Sequence, residues 1–420
     1  ANETEDSLLI ASPQTGTETA VLYVAPDGEC GNPGTVILHC YANLQSAVDV
    51  APPGAEIRVA AGTYTQTQRR AGVTQLLYLS KTLTLRGGYT TTHWQHAHPI
   101  SFPTRLDAGG RGRVLYITGT ISPTLAGFHI TGGDAQGLGG APDGAGAGGG
   151  IYIQQARARL QQLRVYSNTA HVGGGIYLRE SASTISATLI AGNQALESGG
   201  GLYLHASDGA DLRFNRITGN KILDGNGAGL ALERSRARLD GNQITNNVAY
   251  RENGGGLSLY HHSDADLRNN VVANNRAGRA GSGIYIEGAS PTLQHTTLVS
   301  NTGGEGSGIA VRAAIFWEER VTSTVRLTNT IIGGQAVGVD VAGENRAALA
   351  GTLWSTPTVR WAGDGALTHT ADITGAPAFV APERRDFHLT VDSPARDAGL
   401  PTGVAHDMDG GLRPIIRHDL

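Results

Sequence analysis

One fragment recurs down the middle of the chain: a short glycine-rich run followed by alternating apolar positions. It reads GGGIYI at 148–153, GGGIYL at 173–178, GGGLYL at 199–204, GAGLAL at 227–232, GGGLSL at 254–259, GSGIYI at 281–286 and GSGIAV at 306–311. The third-position glycines are Gly150, Gly175, Gly201, Gly229, Gly256, Gly283 and Gly308, separated by 25, 26, 28, 27, 27 and 25 residues. A fixed period of this size marks one supersecondary unit stacked on copies of itself. The 420 residues therefore need not divide into two or three globular domains, because a solenoid lengthens in one dimension. The 60 glycines are about twice the usual share of roughly 7% and follow no three-residue period, which excludes collagen.

A second signature follows the first within each coil. Leu212, Asn215, Ile217 and Asn220 recur as Leu239, Asn242, Ile244 and Asn247, and again as Leu267, Asn270, Val272 and Asn275. The closing asparagine also stands at Asn168, Asn193 and Asn301. Each coil thus offers short strands with period-two alternation, split by turns. About 26 residues cannot hold a helix and a parallel return strand of useful length. Three short strands with tight turns fit, so the spacing predicts an all-β, parallel β-helix of about ten coils. In that frame Ile176, Leu178, Leu202, Leu204, Leu257, Leu259, Ile284 and Ile286 stack inside, and Tyr177, Tyr203 and Tyr285 point outward. Asn168, Asn193, Asn220, Asn247, Asn275 and Asn301 form a turn ladder, each tolerating left-handed backbone and bonding its equivalent one coil away. The glycines supply positive φ or close backbone approach at the other corner.

The ends read differently. Residues 1–20 form a polar arm with an apolar patch at Leu8, Leu9 and Ile10, and 21–75 read as an N-terminal cap with the first coil. Leu44, Ala47, Val48 and Ala51 have helical spacing, with Asn43 as N-cap and Pro52-Pro53-Gly54 as the stop. Residues 76–375 are read as the β-helix, regular from about 148 to 341, and 376–420 as a C-terminal cap. Cys30 and Cys40 are the only cysteines; with no Cys or His partners nearby they read as a disulfide, which implies an oxidising compartment. A secretory signal is expected to have been removed. A formal charge of −4 without a basic face argues against nucleic acid. No run of 18 apolar residues is present, so no membrane-spanning segment is expected.

Near the C-terminus, Phe379, the run Asp386-Phe387-His388-Leu389, Ser393 to Gly399, Asp407-Met408-Asp409-Gly410 and Arg413-Pro414 resemble a segment often called a choice-of-anchor Q domain. It closes many secreted bacterial proteins of the pectin-lyase-like superfamily. Gly62-Thr63-Tyr64 resembles that superfamily's opening. The resemblance implies a right-handed single-stranded parallel β-helix and an extracellular or cell-surface location.

Hydrolases of that fold carry a Gly-His-Gly and an Arg-x-Lys, and neither occurs here. Asp208, Asp211, Asp240, Asp264 and Asp266 beside Arg213, Arg238 and Arg268 read as solvated charge pairs, each contributing roughly 0–1 kcal/mol. His93, His96 and His98 in the insertion 89–112 read as a solvated loop rather than a metal site. Asp407 and Asp409 suggest a short calcium loop but lack the remaining ligands, and a turn is the plainer reading; no cofactor is expected otherwise. Phe316, Trp317 and Glu318 interrupt the regular stack and suit a sugar-stacking loop, a packing loop or a subunit contact. No catalytic residue is assigned.

The leading expectation is a non-enzymatic extracellular filament subunit. Leu8, Leu9 and Ile10, or Val21 and Leu22, would add a strand to the next copy head to tail. A carbohydrate-binding or polysaccharide-degrading β-helix is the alternative, and a monomeric adhesin the third reading.

Overall fold

The computed structural model describes residues 19–31, 39–305, 307–316, 318–355 and 359–413. The chain folds as a right-handed parallel β-helix. Strand β1 (Val21–Val24) pairs in parallel with β2 (Cys40–Tyr41) and with β3 (Glu56–Ala60). Helix α1 (Leu44–Val50) lies between β2 and β3 in sequence. Asn43 caps it from extended backbone, its side-chain oxygen accepting the Ser46 amide at 3.0 Å. Leu44, Ala47 and Val48 enter the same apolar core as Leu22 and Val24.

The strands after each glycine run form a 12-stranded sheet, called here the glycine face. Its register is continuous, with Ile151, Ile176, Leu202, Leu230, Leu257, Ile284 and Ile309 in one inward column. All seven are fully buried. A 24-stranded sheet closes the other sides of the rod, and a short five-stranded sheet fills the corner before the glycine runs.

The glycine runs have two separate physical reasons. Gly173 has φ +62°, a left-handed turn that a side chain disfavours. Gly175 does not, but a Cβ there would lie 2.5 Å from the Gly201 carbonyl oxygen and 2.9 Å from the Asn193 amide. Coil-to-coil approach, not torsion, excludes a side chain at the third position.

The asparagines form two ladders. Asn168, Asn193, Asn220, Asn247 and Asn275 each donate Nδ2 to the next coil's Oδ1, ending at Asn301, all at 3.0 Å. Asn215, Asn242 and Asn270 form the second, also at 3.0 Å. The left-handed residue is not the ladder asparagine but the one before it: Ser167, Gly192, Gly219, Asn246, Asn274 or Ser300. That residue turns the chain, which aims the asparagine amide into the stack.

The tyrosines point away from the central core, as their alternation requires, yet they are buried. Tyr177 is 0% exposed and Tyr203 and Tyr285 are each 7% exposed. Ala141, Ala147 and Val172 pack over the tyrosine column as a second apolar cluster. Sequence alternation separates inside from outside of a sheet, but it cannot see a loop laid across the outside.

Cys30 and Cys40 form a disulfide with Cα atoms 5.8 Å apart. Its loop is short, so replacing both cysteines by serine is expected to lower unfolding free energy by about 2–3 kcal/mol. Denaturant titration of the oxidised protein against the double variant measures this.

Residues 376–413 fold back along the flank of the rod. Ala395, Phe379, Phe387, Leu389 and Met408 pack with Val271, Val299 and Ile331. Asn269 donates to the His406 carbonyl at 3.0 Å, and Asn329 exchanges hydrogen bonds with Leu400.

Candidate functional site

The last residues of the glycine-face strands align in one outward row: Gln154, Arg179, His205, Glu233, Tyr260, Glu287 and Arg312. Six steps of about 4.8 Å make the row roughly 29 Å long. The parallel tyrosine column is interrupted beside its centre, where Ala231 and Ser258 replace aromatic residues. The loop 133–147 borders one end. Buried Arg113 donates Nε to the Ala147 carbonyl at 2.8 Å, and Tyr152 Oη donates to the Gly140 carbonyl at 2.9 Å. A hairpin, Ala314–Phe316 with Glu319–Val321, borders the other end.

Glu233 is the centre of this row. Its Oε2 accepts from Tyr203 Oη at 2.5 Å and from His205 Nδ1 at 3.0 Å, and its Oε1 accepts from His261 Nδ1 at 3.4 Å. Tyr260 Oη donates to Tyr203 Oη at 2.6 Å, which extends the chain of hydrogen bonds one coil further. Burial pushes the Glu233 carboxyl up, but the hydrogen bonds from His205, His261 and Tyr203 outweigh it and hold the group well below the usual carboxylate range. Glu233 is therefore a fixed anion.

The two histidines differ in what Glu233 leaves them. His205 Nε2 meets Arg234 Nη2 at 2.9 Å, so both ring nitrogens are engaged. His261 gives Nδ1–H to Glu233, and its Nε2 has no hydrogen-bond partner among the described residues. The ring is 5.1 Å from the Phe316 ring and half-buried. His261 and His262 both have positive φ, +50° and +63°. The first is the turn position that Gln155, Glu180, Ala206 and Arg234 share, while the second departs from the repeat. A non-glycine residue held there costs on the order of 1–3 kcal/mol, and such strain clusters at functional sites.

Glu287 lies one coil beyond Tyr260. Burial raises its carboxyl, and the nearby His261 ring and the Tyr285 hydroxyl offset this only in part. Two carboxyls in one row are thus pushed in opposite directions, the pattern that separates an acid from a fixed charge. Arg312 follows, held by Glu305 at 3.2 Å and by Asp340.

Phe316, Trp317 and Glu318 are expected from the sequence to form a sugar-stacking loop, a packing loop or a subunit contact. Phe316 lies tilted against the His261 ring at 5.1 Å and edge-on to the His262 ring at 6.0 Å. Glu318 is exposed and lines a separate cavity of about 510 Å³ with Arg312 and Arg320. Trp317 lies outside the described residues. His205, Glu233, His261 and Glu287 escaped notice. The signal was available for three of them, because they follow directly the glycine signature: GGGLYL-His, GAGLAL-Glu and GSGIYI-Glu. Read down the repeats, that column is mostly polar but never repeats one residue type from coil to coil.

The remaining candidates do not join this row. Asp211, Asp240 and Asp266 pair within their own strands with Arg213, Arg238 and Arg268 at 2.7, 2.6 and 2.6 Å. Asp208 and Asp264 accept the Arg236 and Ser290 backbone amides. His93, His96 and His98 are exposed. Asp407 Oδ1 accepts the amides of Asp409 and Gly411 at 2.9 and 2.7 Å. Asp409 Oδ2 contacts His388 Nε2 at 2.5 Å. Among the described residues no three His, Cys, Asp or Glu side chains are grouped to hold a metal. No helix there is long and apolar enough to cross a membrane.

A family model described as "Right handed beta helix region" matches residues 149–346. No curated protein matches the chain. Among solved structures, pectate lyase Pel9A is similar at 13% identity and a TM-score of 0.39, covering 93% of this chain and 95% of that one. The catalytic unit of a thermostable GH87 α-1,3-glucanase from Streptomyces thermodiastaticus is similar at 12% and 0.44, covering 84% and 69%. A tailspike mutant of E. coli bacteriophage HK620, in complex with a pentasaccharide, is similar at 11% and 0.40, covering 85% and 67%. These are likenesses of chain path and assign no residue a role here.

The filament expectation is corrected: the similar structures are named as a pectate lyase, a glucanase and a tailspike in complex with a pentasaccharide, none as a filament subunit. The fold removes part of its basis as well. Val21 and Leu22 lie in β1, whose two edges are already paired to β2 and β3, and Leu22 is buried in the rod's own core. Val21 and Leu22 are thus already committed to Glu56 and Ile57 of their own rod. Leu8, Leu9 and Ile10 lie outside the described residues.

Proposed function

We propose that this chain is an extracellular β-helix protein that binds a polysaccharide along the polar row and cleaves it by acid–base chemistry at His261 and Glu287. The observation that carries the reading is the His261 ring. Glu233 fixes its tautomer, its Nε2 is unpartnered among the described residues, and its backbone amide donates to the carbonyl of Glu287, whose carboxyl is raised by burial. A base must present a free lone pair and an acid must stay protonated near working pH. His261 Nε2 would take a proton from water as the water oxygen bonds to the anomeric carbon. Glu287 would give its proton to the departing glycosidic oxygen. Phe316 offers an apolar ring to a sugar face, and Arg179 and Arg312 would hold anionic or hydroxyl groups further along the row.

The test is incubation with a panel of neutral and acidic polysaccharides, reading new reducing ends. Wild-type protein is expected to release them from at least one. Glu287→Gln is expected to lower the rate 100-fold or more, in line with the roughly 10²–10⁴-fold contribution of a positioned acid or base. Release by wild type that Glu287→Gln and His261→Ala leave unchanged would remove the assignment of roles. Saturable binding without release would reduce the proposal to a binding surface.

A further inference from the structure

A second cavity, on the opposite side of the rod wall from the polar row, has a different chemistry. It lies between the folded-back C-terminal segment and the 24-stranded sheet and measures about 260 Å³. This is just below the range of about 300–1,000 Å³ usual for drug-sized ligands, which suits one small molecule rather than a polymer. Its floor is apolar, with Val271 and Ile331 from the rod and Phe387 from the segment.

Four polar side chains around that floor make no hydrogen bond or ion pair with other protein groups among the described residues. The guanidinium groups of Arg385 and Arg396, from the segment, have no ion pair or hydrogen bond among the described residues. The Gln243 amide and the Thr297 hydroxyl, from the rod, likewise have no side-chain hydrogen bond. The nearby carboxylates are already committed. Asp386 and Asp409 both hold His388, which they keep protonated above its ordinary range, and Asp407 caps a turn. Two arginines without an ion pair, an amide, a hydroxyl and an aromatic ring thus line a cavity whose two carboxylates, Asp407 and Asp409, are held by a turn and by His388.

We infer that this cavity binds a small hydroxylated anion of monosaccharide size, its acid group on Arg385 and Arg396 and its hydroxyls on Gln243 and Thr297. Phe387 would take an apolar face of the same ligand. Guanidinium groups pair with carboxylate and phosphate alike, so either acid is admitted and the experiment separates them. This site is independent of the polar row and of any cleavage there.

Isothermal titration of the full chain with galacturonate, glucose 6-phosphate and glucose tests it. Saturable binding of at least one acid, with glucose weaker by 10-fold or more, is expected. Arg396→Gln is expected to weaken that binding at least 10-fold, and Arg159→Gln, at an exposed arginine outside the cavity and the polar row, to leave it unchanged. Arg396 is exposed, so its replacement should not disturb folding; a melting curve checks this, and Gln243→Ala gives a second variant on the rod side. No saturable binding of either acid, equal binding of glucose, or binding indifferent to Arg396→Gln would each overturn the inference.

Discussion

Replacing Asn220 by alanine is expected to cost about 3–5 kcal/mol, enough to threaten a domain whose net stability is only about 5–15 kcal/mol. Asn220 is fully buried. Its Oδ1 accepts from both the backbone amide and the Nδ2 of Asn193, each at 3.0 Å, and its Nδ2 donates to the Ile190 carbonyl at 3.0 Å. Alanine removes these bonds together and strands the Asn193 amide, and a buried group without a partner costs about 1–3 kcal/mol. Water cannot replace the amide, because the neighbouring coils close over it: a Cβ on Gly201 would already lie 2.9 Å from Asn220 Nδ2. Equilibrium urea unfolding measures the effect. A loss below about 1 kcal/mol would show that the ladder is decorative and that the apolar columns alone hold the coils in register.

The second large effect concerns Glu233 and Glu287 and has opposite signs at the two sites. Glu233 is a charge buried among donors, and removing one partner of such a group costs about 3–5 kcal/mol. Glu233→Ala is expected to reach the lower end of that range, since the carboxylate keeps 19% side-chain exposure. Its folded pKa lies below the ordinary 4.5. The stabilisation is therefore complete above the unfolded value and is lost as pH falls toward the folded one. The wild type and Glu233→Ala should converge in stability as the solution is acidified. Glu287 runs the other way, because its folded pKa lies above the ordinary 4.5. Its contribution is present below the unfolded value and is lost as pH rises through the folded one. Glu287→Gln should therefore be at least as stable as wild type at neutral pH, even as cleavage is lost. Melting curves of the three proteins from acid to neutral pH check both signs. A Glu287→Gln protein destabilised at neutral pH would contradict the raised carboxyl and, with it, the assignment of Glu287 as an acid.

These two predictions separate what the stack needs from what the row does. Asn220 sits at a position where every regular coil from Asn168 to Asn301 carries asparagine, so its role was readable from recurrence. Glu233 sits at a position where the repeats disagree: Gln154, Arg179, His205, Glu233, Tyr260, Glu287 and Arg312 are all different in chemistry from the apolar residues before them. Recurrence finds structure, and its failure at one column finds the site. The sequence reading followed the recurrence and looked for activity instead in interruptions of the stack. That found Phe316 but not the histidine it packs against.

The amino-acid sequence by itself determined the solenoid, its period, the inward apolar columns, the glycine corners and the asparagine ladder. Each of these is a local rule repeated at fixed spacing, and stacking at about 4.8 Å carries such a rule from coil to coil without further information. Only the tertiary structure decided which outward residues are covered, which are shared between coils and which are free. The burial of Tyr177, the capture of β1 by its own rod, the three donors converging on Glu233 and the folding back of 376–413 onto residues far earlier in the chain all depend on contacts between segments of no fixed separation. No period encodes such contacts, because they arise from where loops of unequal length come to rest on a regular frame.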